Sequence, residues 1–220
     1  MSSLHNVLSF LYGNSFWMGW NLFLALIPLV LSLFLFQPGS LFQPGFQGSL
    51  IWWLGVLAFV AFLPNAPYVV TDLIHLIRAI QATDSLLFSL LVILPTYLLF
   101  VLAGFESYVL SLINLGRLLQ QKGLSHWADA IKLLLHGLCA IGVYLGRIER
   151  LNSWDLVLRP MQVLQKTIAS ITTTQGLIFI LLATSVIALL YTIFKAITLA
   201  LWSQGQNLRL QQTDDLPTEL

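Results

Sequence analysis

Apolar residues run in long blocks, and polar residues gather in short clusters between them. The blocks fall at residues 16–36, from residue 50 onward, and at 85–115, 130–146 and 177–202. An α-helix needs about 20 mostly apolar residues to cross a bilayer. The pattern therefore predicts an all-α integral membrane fold with about five transmembrane helices. Trp17 and Trp20 sit at the start of the first block, where an aromatic belt belongs.

The second block is irregular. Leu50 to Leu63 is 14 residues, about 21 Å of helix against a hydrocarbon core of about 30 Å. The span must continue through Pro64 and Pro67 or stop there as a half-helix, and the prolines force a kink or break. Asn65 can cap a new helix, with Pro67 in its first turn. On a helical wheel over 65–80, Tyr68, Thr71, Asp72, His75 and Arg78 share one side, and Val69, Leu73, Leu76, Ile77 and Ile80 the other. This amphipathic segment suits the headgroup plane or a cavity wall.

The third block is long enough to exceed one bilayer, so it reads as one tilted span, kinked at Pro95. A hairpin at Gly104 is the alternative. Residues 151–175 leave the membrane as an amphipathic stretch, with Pro160 breaking its helix. The organisation expected is an N-terminal segment 1–15, a single polytopic domain 16–202, and a polar tail 203–220 with the composition of disorder. Residues 35–45 contain the tandem Leu-Phe-Gln-Pro-Gly, an uncharged interfacial turn repeat. The first span lacks a basic leader and a small-residue cleavage site, so it is expected to be retained.

Composition sharpens this picture. The chain has 220 residues, 58% hydrophobic and 9% charged, with mean hydropathy +0.86, which no soluble domain shows. A net charge of +1 excludes a nucleic-acid partner, which demands a basic surface. Cys139 is the only cysteine and can form no intrachain disulfide. With five spans, Arg78, Arg147, Arg150, Arg159 and Lys166 share one membrane face. Arg117, Lys122, Lys132, Lys195 and Arg209 lie at or near the other. The balance leaves the positive-inside rule silent on orientation.

Two polar clusters carry the candidate chemistry. One is Leu63-Pro64-Asn65-Ala66-Pro67-Tyr68, followed by Thr71-Asp72-Leu73-Ile74-His75. The other is Tyr144-Leu145-Gly146-Arg147, followed by Asn152-Ser153-Trp154-Asp155. Five spans bring both to one membrane face; a hairpin at Gly104 separates them. Asp72 and His75, at i and i+3, share a helix face and are the candidate catalytic pair, a carboxylate orienting a histidine base. Two ligands do not close a metal site, and no Cys-rich or HExxH spacing supplies the rest, so no metal is expected. The competing account pairs Asp72 with Arg147 or Arg150 as interhelical glue.

Arg147, Arg150 and Arg159 gather positive charge suited to phosphate, although snorkelling at helix ends explains such residues too. Gly142 and Gly146 give Arg147 close helix neighbours. In the second cluster, Asn152 or Ser153 caps a helix whose N-terminus Asp155 favours, and Trp154 anchors at the interface. The ligand-binding set is thus Asn65, Asp72, His75, Arg147, Arg150 and Asp155. Inside the third span, Glu106 is expected to pair with Lys132, one turn from His136.

The two clusters resemble a bacterial multi-spanning family known as domain of unknown function 1361, over about residues 15–200. Leu151 departs from the aromatic residue that the resemblance leads one to expect. The resemblance implies a multi-pass protein of the bacterial inner membrane and brings no activity or cofactor. The residues leave three readings. One is an interfacial site binding or processing an anionic lipid or lipid-linked phosphate. The second is a noncatalytic scaffold that assembles with other membrane subunits. The third is a small transporter using Glu106, Lys132 and His136. No phosphate-cradling glycine loop, serine elbow or Ser-His-Asp order is present.

Overall fold

The computed structural model describes residues 2–37 and 48–214, with side chains for 10, 12–37 and 48–206. The turn repeat lies mostly outside the described residues. Five helices among the described residues are long and apolar enough to cross a membrane: Tyr12–Phe36, Leu50–Gln81, Leu86–Gln121, Ser125–Arg147 and Thr174–Gln206. No strand occurs among them. The chain is an all-α membrane protein.

Helix α1, Ser2–Phe36, continues the first span back through residues 2–11. The second span is a composite. Helix α2, Leu50–Phe62, is capped by Ser49, whose hydroxyl accepts from the Trp52 amide at 3.2 Å. The short α3, Asn65–Tyr68, a 3₁₀ turn at Val69–Asp72 and α4, Leu73–Gln81, follow. The backbone stays right-handed helical through Pro64 (φ −61°), so the prolines bend the span and do not halve it. Asn65 does not cap, because Pro64 holds that position. Its amide nitrogen instead donates to the Phe62 carbonyl at 2.9 Å, which the Ala66 amide bypasses for Leu63.

The third span starts with α5, Leu86–Phe88, widens into a π turn at Ser89–Ile93 and continues as α6, Leu94–Gln121. The Leu94 amide bonds to Ser89 five residues back. Pro95 has no N–H to continue the ladder, which fits a register change next to it. Because α6 runs through Gly104, the hairpin alternative fails.

Helix α7, Ala128–Arg147, is the fourth span. Then come α8, Asp155–Leu158, and α9, Pro160–Thr172. As expected, Pro160 breaks the helical stretch: Arg159 before it leaves the helical region (φ −140°, ψ 52°), α8 ends, and Pro160 starts α9. The last helix, α10, spans Thr174–Asp214. It carries the first 12 residues of the expected tail, Ser203 to Asp214, as helix. Residues 215–220 lie outside the described residues.

Helix α1 packs on α6 and α2, α10 packs on α7 and α9, and α3 sits among α1, α6 and α7. Glycines make room for it. A Cβ on Gly104 would meet Val69 Cγ2 at 2.7 Å, and one on Gly142 would meet Pro64 Cβ at 2.5 Å. The core column on α6 is aromatic, with Tyr97, Phe105 and Tyr108 all fully buried.

The expected Glu106–Lys132 pair does not form. Glu106 accepts from the Thr198 hydroxyl on α10 at 2.7 Å, while Lys132 bonds to Asp129, one turn back on its own helix. Asp129 is nearer along the helix and in solvent, so the lysine snorkels outward. Thr198→Val is expected to cost about 1–3 kcal/mol of detergent stability, because it strips the acid of its donor. Lys132→Met should cost less, its partner being 96% exposed. A loss from Lys132→Met as large as that from Thr198→Val would count against this assignment of partners.

Candidate functional site

Asp72 lies 22 residues beyond Leu50 along the composite helix, about 33 Å at 1.5 Å per residue. Arg147 ends α7 at the same level and places its Nη2 2.6 Å from Asp72 Oδ1. The Asp72 side chain is 2% exposed, so the carboxylate needs all the partners it has. The second oxygen accepts from the Asn21 amide nitrogen of α1 at 3.0 Å. Arg147 also donates to the Thr71 hydroxyl, from Nε at 3.1 Å, and that hydroxyl donates to the Tyr68 carbonyl at 2.6 Å. The guanidinium carbon stands 4.7 Å from the centre of the Tyr68 ring. Asp72 and Arg147 therefore tie α1, the kinked second span and α7 together.

After Arg147 the chain turns sharply. The Leu151 amide bonds to the Leu145 carbonyl at 3.0 Å, six residues back, and Arg150 takes a φ of +55°. Such helix ends favour glycine at the left-handed position, and a side chain there costs on the order of 1 kcal/mol. Arg150 is exposed and has no acidic partner among the described residues. The next turn is closed by Asp155, which accepts from the Asn152 amide at 2.7 Å. Trp154, not Asn152 or Ser153, takes the capping position of α8. The Ser153 hydroxyl accepts from the Asn65 amide nitrogen at 2.8 Å, which joins the two clusters a second time.

Between these joints lies a cavity of about 560 Å³. Its polar end is lined by Asn21, Asn65, Tyr68, Arg150, Asn152 and Ser153. Its apolar walls come from Leu24 on α1, Leu57, Val60 and Ala61 on α2, and Leu138 and Ile141 on α7, with α9 contributing Val163. The sequence-predicted residues thus divide. Asn65 and Arg150 line the cavity, Asp72 and Arg147 are locked beside it, and Asp155 shapes the turn next to it. His75 does not line it; its ring lies 5.1 Å from that of Trp17 on α1. No cluster of three or more His, Cys, Asp or Glu suited to a metal occurs among the described residues.

Sequence reasoning missed Asn21. A signal was present: Asn21 and Ser32 are the only polar side chains in the block 16–36, and such residues usually face a partner helix. Ser32 obeys the same rule, accepting from the Asn114 amide nitrogen at 3.0 Å.

The fold defines a polytopic α-helical membrane protein in which the two polar clusters meet. The family model described as protein of unknown function (DUF1361) matches residues 20–190, and the chain belongs to that family. No curated protein and no solved structure matches it.

Proposed function

We propose that the protein binds an anionic lipid or lipid-linked phosphate in the cavity between α1, α2 and α7. The observation that carries this reading is the cavity's division into a polar end holding the unpaired Arg150 and an apolar body walled by leucine, valine and isoleucine. An amphiphile of the bilayer matches that division, headgroup at the interface and chain among the helices. A guanidinium suits phosphate oxygens and is always charged. A left-handed arginine where glycine is favoured also suits a side chain kept for what it binds.

The scaffold reading has one observation of its own. The network of Asn21, Thr71, Asp72 and Arg147 is satisfied without a ligand, so those residues serve as interhelical glue. Docking of further membrane subunits remains compatible with lipid binding. Glu106, Lys132 and His136 form no continuous relay, since His136 bonds to Tyr108 at 2.5 Å and the other two turn elsewhere. The transporter reading loses its support. The bacterial inner membrane is the location that fits the family resemblance.

Native mass spectrometry of the detergent-purified protein tests the proposal. Wild type is expected to retain phospholipid-mass adducts, and Arg150→Gln to lose most of them at unchanged thermal stability. Adducts of equal abundance on both proteins would remove Arg150 from the site.

A further inference from the structure

The hydrogen-bonding capacity left over in the cavity narrows the class of headgroup. Asn65 has committed both hydrogens of its amide, one to the Phe62 carbonyl and one to Ser153. It offers the cavity only its carbonyl oxygen. Asn21 gives one amide hydrogen to Asp72 and, like Tyr68, Asn152 and Ser153, keeps both a donor and an acceptor to offer. The Asn65 oxygen is an acceptor, and a phosphate oxygen is an acceptor too, so this position calls for a donor on the ligand.

The charges point the same way. Arg147 is neutralised by Asp72, and Lys166 by Glu149 at 2.8 Å. Among the described residues, Arg150 is the one cavity-lining side chain with a formal charge. One cation beside the acceptor-only Asn65 matches a group with one negative charge and its own O–H or N–H donors. It does not match a dianion or a pyrophosphate.

We infer that the cavity selects a phosphodiester lipid whose head alcohol carries hydrogen-bond donors. Its phosphate lies on Arg150 and its hydroxyls face Asn65. The inference rests on the lipid reading above and deepens it. Phosphatidylglycerol has this chemistry. Phosphatidylcholine has the phosphodiester without donors, and phosphatidic acid has a phosphomonoester without a head alcohol.

The full chain, delipidated in detergent, is titrated with equimolar phosphatidylglycerol, phosphatidylcholine and phosphatidic acid of matched acyl chains, and adducts are counted by native mass spectrometry. Phosphatidylglycerol occupancy is expected to exceed each of the others about tenfold. Arg150→Gly should lose that preference while folding at least as well as wild type, because glycine relaxes the φ of +55°. Equal occupancy by all three lipids would overturn the headgroup inference and leave the lipid cavity standing. Preference for phosphatidic acid would overturn the donor requirement. Displacement of bound lipid by millimolar glycerophosphoglycerol would reassign the site to a free phosphodiester. No retained lipid of any kind would overturn the cavity reading itself.

Discussion

Asp72→Ala is expected to cost the protein about 3–5 kcal/mol, the largest loss from any single side chain at the interface. The variant leaves the Arg147 guanidinium without its counter-charge and Asn21 without its acceptor. The guanidinium retains Thr71 and the Tyr68 ring, which cannot supply the missing charge. Arg147→Met fails in the reverse sense, stranding a carboxylate that is 2% exposed. Because each single change orphans the other partner, the Asp72→Ala/Arg147→Met double variant should recover part of the loss. A coupling of about 0.5–3 kcal/mol is the size that contacting pairs show. Thermal unfolding in detergent reads the four proteins of this cycle, and strictly additive losses would show that the pair does not hold the helices together.

The spans were legible because a bilayer reads a chain coarsely. Twenty apolar residues mark a helix whatever its details, and all five blocks are helices here. The juxtaposition of the two clusters followed from counting crossings. Details that depend on one backbone bond were not legible. Asn65 looks like a cap, but Pro64 keeps helical dihedrals, so the amide repairs a bypassed carbonyl in place of starting a helix. Pro95 announces a distortion of the third span, but nothing in the sequence says that it takes the form of a π turn at Ser89–Ile93. The left-handed Arg150 lies where a rule based on glycine would find nothing. Glu106 was assigned a charged partner because charge is the strongest cue in a sequence, yet a threonine on another helix reached it first. His75 shares a helical face with Asp72, but α1 claims it through Trp17. A helical wheel shows which residues share a side. It does not show which neighbour that side meets.

The glycines of α7 provide a graded test of the way the site is assembled. Gly142 and Gly146 are four residues apart, and both face the bent part of the second span. Small residues at this spacing let helix backbones approach closely in membranes. A Cβ on Gly142 would stand 2.5 Å from Pro64 Cβ and 2.7 Å from its Cγ. The proline ring has no rotamer to retreat into, so the helices must part. Gly142→Ala is therefore expected to lose about 1–3 kcal/mol, the usual cost of overpacking a tight contact. Gly146→Ala meets the edge of the Tyr68 ring at 3.1 Å and the Leu151 carbonyl oxygen at 3.7 Å, and should lose less. Gly137 has nothing within 4 Å, so Gly137→Ala should be neutral or gain up to about 1 kcal/mol from helix propensity. Pro64 and Gly142 both line the cavity and Asn65 follows Pro64, so parting the helices also displaces an acceptor of the headgroup. Gly142→Ala should thus lose bound lipid as well as stability, whereas Gly137→Ala keeps both. The three variants share one chemistry and one helix and differ only in what the new methyl meets. If thermal unfolding and lipid retention changed alike in all three, close packing of α7 on Pro64 would not be what builds the cavity.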